Sequence, residues 1–301
     1  MSPVASKHRY SPLANAAFLG IHLLVLVGIF VMGWSWEGFA LAVGLYYLRM
    51  FGVTAGYHRY FAHRTYRTSR AFQFFLAFLA QTSAQKGVLW WASHHRVHHK
   101  FSDQPGDVHS MKREGFFWAH VGWIVSKEHE ATNHKLVSDI GRYPELRFLN
   151  RWYLLPPVVM GAILLLSGGW HSLFWGYFVS TVMLWHGTFT INSLCHWMGK
   201  KRYVTADESR NSLLLSLLTL GEGWHNNHHY YPRSTAQGFF WWEIDVTFYV
   251  LKALSWVGLV WDLTTPSEKV RSGNRVPTTT ASGARLRAEL PLGDLAPQDA
   301  E

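Results

Sequence analysis

The stretch "AAFLGIHLLVLVGIFVMGW" (residues 16–34) is followed after one residue by "WEGFALAVGLYYLRMFGVTAG" (residues 36–56), and these two runs decide the fold. Each is about the length a helix needs to cross a hydrocarbon layer of ~30 Å at ~1.5 Å per residue. Helix is the form that satisfies a spanning backbone from within one segment. The link, Trp34 to Glu37, carries no Lys or Arg, whereas Lys7 and Arg9 precede the first run. A cleaved signal peptide has a shorter apolar core, so a retained helical hairpin is expected. Further along, "WYLLPPVVMGAILLLSGGW" (152–170) and "LFWGYFVSTVMLWHGTFTINSLC" (173–195) repeat the pattern, with an uncharged tip from Gly168 to Ser172. Lys and Arg collect on the cytoplasmic side of membrane helices. The expectation is therefore an all-α, multi-pass integral membrane protein with four transmembrane helices in two hairpins. Both tips face outward, and the termini and the central region face the cytoplasm.

Two other apolar stretches read differently. "RAFQFFLAFLAQTSAQKGVLWWA" (70–92) is too short in its apolar part to span and carries Gln81, Gln85 and Lys86 at its far end, which predicts an interfacial or re-entrant helix. "GFFWWEIDVTFYVLKALSWVGLVWDL" (238–263) mixes Trp and Phe with Glu243, Asp245 and Lys252 and is also expected at the interface. From Thr264 to the end the composition turns to Pro, Gly, Ser, Thr and charge, which places the domain in residues 1–263 and a disordered tail in 264–301.

The net charge of +9 raises the question of nucleic acid. There is no zinc-finger Cys pattern and no RNA-binding signature, and the basic residues lie beside the apolar runs, so an anionic membrane surface or a phosphate-bearing substrate fits instead. The single cysteine, Cys195, excludes an internal disulfide, a Cys-ligated iron–sulfur cluster and a thiolate metal site, and is expected to be a small buried side chain. Any metal must be held by His and oxygen.

Histidine is concentrated in boxes on the cytoplasmic side. "HHRVHH" (94–99) and "HNNHH" (225–229) each contain HxxHH, "HRYFAH" supplies His58 and His63, and His196 closes the fourth span. Positions i, i+3 and i+4 share one helix face, so His95, His98 and His99 point together, as do His225, His228 and His229. His58 and His63, five apart, diverge on an ideal helix, so the helix is expected to end or distort near Ala62. Asn192, four before His196, could bind a metal or hold its water. His22, His171 and His186 stand singly and read as structural. Nine patterned imidazoles are too many for one metal and suit two; zinc has no redox chemistry, whereas two irons cycling between Fe2+ and Fe3+ with O2 as co-substrate account for ligand number and type. A metal transporter would place its sites along a mid-membrane path, and these boxes lie outside the apolar runs.

The segments "GYHRYFAH", "HHRVHHKFSDQPGDVHS", "NSLCHWMGK" and "GEGWHNNHHYYP" resemble the membrane fatty acyl desaturases of the stearoyl-CoA (delta-9) type, in order and spacing, from about residue 35 to 260. The resemblance implies a four-span protein with a cytosolic helical cap that holds a His-ligated di-iron site beside an enclosed, kinked acyl tunnel. It implies as ligands His58, His63, His95, His98, His99, His196, His225, His228 and His229, with Asn192 acting through water and His94 outside the set. It further implies an O2-dependent fatty acyl desaturase of unsaturated fatty acid biosynthesis that inserts a cis double bond, at delta-9, into a saturated chain carried as acyl-CoA.

Many animal acyl-CoA members have Arg where this chain has Ser93, which leaves acyl-phospholipid and acyl-carrier protein open as carriers. Lys112, Arg113, Arg142, Arg147, Lys200, Lys201 and Arg202 are the candidate phosphate contacts and read equally as positive-inside residues. Trp90 and Trp91 are candidate tunnel walls. Asp107 and Glu222 are placed to orient ligand imidazoles from behind. No GxGxxG, Cys cluster or heme-binding HPGG segment is present, so electrons are expected from a separate ferredoxin, rubredoxin or cytochrome b5 type donor, with its reductase, docking on the basic cap. The expected setting is a bacterial inner membrane. A related di-iron hydroxylase or acetylenase is the alternative within enzymes.

Overall fold

The computed structural model describes residues 8–277. Helix α1 (Pro12–Met32) begins with proline, whose missing N–H is one a helix start leaves unused in any case. Helix α2 (Trp36–Phe51) is capped by Ser35, whose Oγ accepts from the Gly38 N–H at 3.0 Å, and has Glu37 in its first turn. It runs without a break into a π-helical stretch, Gly52–Ala62. Strand β1 (Arg67–Thr68) and helices α3 (Arg70–Gln81), α4 (Val88–Phe101) and α5 (Met111–Phe117) follow. After a π turn at Trp118–Gly122 come α6 (Ser138–Gly141), α7 (Pro144–Arg151), α8 (Leu155–Ser172), a π-helical segment Leu173–Val179 and α9 (Ser180–Asn192). The chain finishes with α10 (Leu213–Leu218), α11 (His225–Tyr230), α12 (Val246–Trp256), β2 (Val260–Trp261) and α13 (Glu268–Ser272). The two strands pair antiparallel, Arg67 opposite Trp261.

Among the described residues, three helical runs are long and apolar enough to cross a membrane: Pro12–Met32, Trp36–Ala62 and Leu155–His196. The third is not straight. Gly168 and Gly169 leave helical geometry, Gly169 at φ 63°, and the Cβ direction of Gly176 reaches within 3.2 Å of Leu164 Cδ2. A straight helix separates residues twelve apart by ~18 Å, so the chain turns back at the glycine pair. Both α1 and α2 lie against the returning segment: the Phe174 ring covers Gly28, the Trp175 ring covers Gly38, and Tyr46 Oη sits on Gly187. Small residues let these backbones approach closely. Leu19, Leu23, Leu26 and Phe30 of α1 are exposed, which suits lipid and not water.

The largest core packs the π-helical stretch against α3, α4 and α7, through Tyr57, Phe61, Leu76, Val88 and Leu146. Two sequence expectations are corrected here. Residues 70–92 are not one helix: α3 ends at Gln81, and Ala84 (φ 55°) and Lys86 (φ 64°) in the left-handed region turn the chain before α4 starts. Residues 264–277 are ordered and not part of a free tail: the Thr264 N–H donates to Thr65 O, Val204 N–H to Asn274 O, and Val276 N–H to Arg202 O. The remainder of the expected tail, 278–301, lies outside the described residues.

Candidate metal centre

His58 and His63 are brought onto one face by the π-helical stretch. A π-helix closes i to i+5 hydrogen bonds, and the His63 N–H donates to His58 O at 3.1 Å; the spacing that diverges on an α-helix converges here. His95, His98 and His99 come from α4, His98 and His99 from its last turn and His95 from the turn before. His225, His228 and His229 come from α11, and His196 from the 3-10 turn Leu194–His196 that ends the long apolar run.

These nine residues form two groups, in each of which one nitrogen per ring lies within 4.8 Å of all the others. The first contains His58, His63, His95, His99 and His228; the second His98, His196, His225 and His229. In the first, His228 Nε2 faces both His58 Nε2 at 3.0 Å and His99 Nε2 at 2.9 Å, and His63 Nε2 faces His95 Nε2 at 2.8 Å. In the second, His196 and His225 face each other through Nε2 at 3.2 Å.

Behind the rings stand carboxylates. His98 Nδ1 donates to Asp107 Oδ1 at 2.8 Å, His196 Nδ1 to Asp103 Oδ2 at 3.1 Å, and His229 Nδ1 to Asp207 Oδ2 at 2.7 Å, while His58 Nδ1 contacts Glu222 Oε2. An Nδ1–H so engaged leaves Nε2 with its lone pair. The Nε2 atoms of His98 and His229 are buried with no partner, a costly arrangement for a nitrogen. Burial and the neighbouring imidazoles hold His63, His95, His99, His225 and His228 well below the ordinary histidine value. Burial likewise brings His229 down to about 4, against the pull of Asp207. Neutral rings with converging lone pairs are what divalent metal ions bind, so both clusters fit metal. His98 is shifted upward, because Asp107 outweighs its burial; a cation at Nε2 competes for that proton. Asp103, Asp107 and Asp207 stay below the usual carboxylate range, since bonds to His196, His98 and His229 outweigh burial.

A cavity of about 280 Å³ runs beside the first cluster. His95 and His109 line it, together with Trp90, Trp91, Asn192 and Phe18 of α1. Trp91 stacks on His95, ring centroids 4.9 Å apart, and Trp90 donates from Nε1 to His129 O at 2.7 Å. Both tryptophans thus wall a cavity. Asn192 lies on that wall at the end of α9 and lines the cavity with His95. His94 also lines the cavity but belongs to neither cluster, its Nδ1 standing against Trp90 O at 2.9 Å. Lys201 pairs with Glu208 at 3.0 Å and Arg202 with Glu243, while Lys200 is exposed; none of the three lines the cavity.

Some of the site escaped the sequence reading. Asp103, four after His99, has the same kind of proximity signal as Asp107. Asp207 sits in a loop with no spacing to any box. His109 stacks on His98 at 4.1 Å and lines the cavity, although as a lone histidine it carries no pattern. His22 and His186 meet through Nε2 at 3.0 Å, and His186 continues to His120; this is a polar contact between α1 and α9, separate from both clusters.

Residues 34–257 match the profile of the family described as "Fatty acid desaturase". The chain is 37% identical over 253 residues to an acyl-CoA 5-desaturase of Anemone leveillei, covering 83% of this chain and 78% of that protein. It is 35% identical over 245 residues to the sn-1 stearoyl-lipid 9-desaturase of Anabaena variabilis, covering 80% and 89%. It is also 35% identical over 262 residues to the palmitoyl-monogalactosyldiacylglycerol delta-7 desaturase of Arabidopsis thaliana, covering 85% and 69%. With His clusters fit for metal beside a largely apolar cavity, the chain belongs to the fatty acid desaturase family and is a fatty acyl desaturase, an oxidoreductase.

Proposed function

We propose that this desaturase takes two hydrogens from neighbouring methylenes of a saturated acyl chain and leaves a cis double bond at delta-9, with two irons held by the nine histidines. The balance is one O2, two electrons and two protons consumed with the substrate, and the alkene and two waters formed. Two irons bound there supply, with O2, the oxidising power to break an unactivated C–H bond, which no side chain has. The chain's own residues do the rest. Nine imidazoles hold the metals; Asp103, Asp107, Asp207 and Glu222 fix ring orientation from behind; Trp90 and Trp91 press the acyl chain toward His95 and exclude water; Asn192 holds a water at the cavity wall. Placement decides which carbons react. The single observation that carries this reading is the cavity that reaches the five-histidine cluster at His95.

The same reading takes the apolar runs 16–34, 36–56, 152–170 and 173–195 as four spans in two hairpins. It puts the termini and both clusters in a cytosolic cap, where a separate one-electron donor of ferredoxin, rubredoxin or cytochrome b5 type docks. For the carrier, the internal ion pairs of Lys201 and Arg202 favour a membrane acyl-lipid over CoA, since paired cations are not free for phosphate. Acyl-CoA is the second reading, favoured by the identity to the Anemone protein.

Reconstituted membranes with an electron donor, labelled acyl-CoA and labelled phospholipid test both points by mass spectrometry of the products. A cis-9 bond appearing first in phospholipid is expected. Double bonds first in acyl-CoA reverse the carrier, and hydroxylated product with no alkene overturns the desaturation itself.

A further inference from the structure

The two clusters differ in what stands behind their rings. In the four-histidine cluster three of the four Nδ1 atoms meet a carboxylate: His98 on Asp107 at 2.8 Å, His196 on Asp103 at 3.1 Å and His229 on Asp207 at 2.7 Å. In the five-histidine cluster, among the described residues, only His58 has such a partner, Glu222. That carboxylate is shared with the buried guanidinium of Arg59 at 3.0 Å. Among the described residues no Lys or Arg side chain pairs with the carboxylate oxygens of Asp103, Asp107 or Asp207; Lys201 Nζ meets Asp207 only at its main-chain O, at 2.6 Å. The other donors to these carboxylate oxygens are neutral, including Ser110 Oγ on Asp103 at 2.7 Å and the Ser209 N–H on Asp207 at 3.0 Å.

One cluster therefore sits against three buried carboxylates with no Lys or Arg on their oxygens, the other against one carboxylate that shares the Arg59 guanidinium with Asp245. A carboxylate on Nδ1–H makes the ligating Nε2 more basic. In a medium of low dielectric, nearby negative charge also favours the more highly charged state of a bound metal.

We propose that the two iron positions are unequal in redox terms: the iron held by His98, His196, His225 and His229 keeps its ferric state more strongly, and Asp103, Asp107 and Asp207 are the positioning residues that set the difference. This rests on the two-iron reading above. Electrons delivered one at a time then settle first at the five-histidine position, which is the one that borders the acyl cavity through His95.

Loss of a partner behind a ligand typically changes metal affinity ~10–100-fold. A tenfold change in ferric over ferrous affinity corresponds to about 59 mV for a one-electron step. The test is a redox titration of the full-length, iron-loaded protein followed by Mössbauer and EPR spectroscopy, after the iron per chain has been counted. Two reduction steps are expected. Asp107→Asn and Asp207→Asn should each raise the lower step by a tenfold equivalent or more and leave the upper step in place, whereas Glu222→Gln should leave the lower step unmoved. A single step in the unmodified protein overturns the proposal. So does an upper step that moves with the Asp changes, or a lower step that moves with Glu222→Gln. The unmodified protein and Glu222→Gln decide the matter if the Asp variants do not hold iron. Fewer than two irons per chain overturns the two-iron reading and this proposal together, and the iron count separates that failure from the others.

Discussion

Arg59 lies in the π-helical stretch with its side chain almost wholly buried, and it joins two carboxylates. Its Nη2 sits 3.0 Å from Glu222 Oε1 and 2.9 Å from Asp245 Oδ1, and Nη1 donates to Thr235 O at 2.7 Å. Removing one partner of such a set leaves uncompensated buried charge, at a cost of about 3–5 kcal/mol. Arg59→Met should lower the thermal midpoint in detergent well below that of Arg59→Lys, which keeps the charge; equal midpoints for the two variants would contradict the assignment. At this scale the sequence was informative where chemistry is periodic. Eight of the nine histidines stand in HxxHH boxes or the His58–His63 pair, and His196 closes an apolar run on the same side, so their convergence was legible. Asp207 and His109 were not, because each reaches the cluster through tertiary folding of a loop that no spacing rule covers.

At the scale of elements, the apolar runs were legible because length and composition alone fit helices to a bilayer. The break between α3 and α4 was not: it is made by Ala84 and Lys86 in the left-handed region, where Gly or Asn is the residue that signals a turn. The order of residues 264–277 depends on backbone bonds to Thr65 and Arg202, partners far away in sequence. The distortion expected near Ala62 is a π-helix that begins ten residues earlier, at Gly52. Helix packing makes its own prediction. Tyr46 Oη lies on Gly187 and donates to Leu218 O at 2.6 Å, so any side chain at 187 displaces that ring. Gly187→Val should destabilise by about 1–3 kcal/mol, the usual cost of overpacking, read as a lower unfolding midpoint; an unchanged or higher midpoint would show that α2 and α9 do not pack as described.

For the whole molecule, a metal-free site lined with neutral histidines ties stability to pH. His63, His95, His99, His225 and His228 are held well below the ordinary value of 6.5, and His229 is brought to about 4. Below pH 6.5 the unfolded chain binds protons that the folded site refuses, so stability is present above that pH and is lost as pH falls toward about 4. His98, shifted upward, works in the opposite direction but is one ring against six. Chelator-treated protein should therefore melt at a lower temperature at about pH 5.5 than at about pH 7.5. A flat or inverted profile would mean that the rings are not buried neutral in the metal-free state.

The central claim, that this desaturase works through two irons held by these histidines, is tested most directly by metal analysis of purified, active protein beside His98→Ala. The account predicts about two irons per chain in the unmodified protein, and loss of iron and activity together when His98, whose Nε2 is buried without another partner, is removed. One tightly bound zinc in active protein, or full activity in His98→Ala, would contradict it.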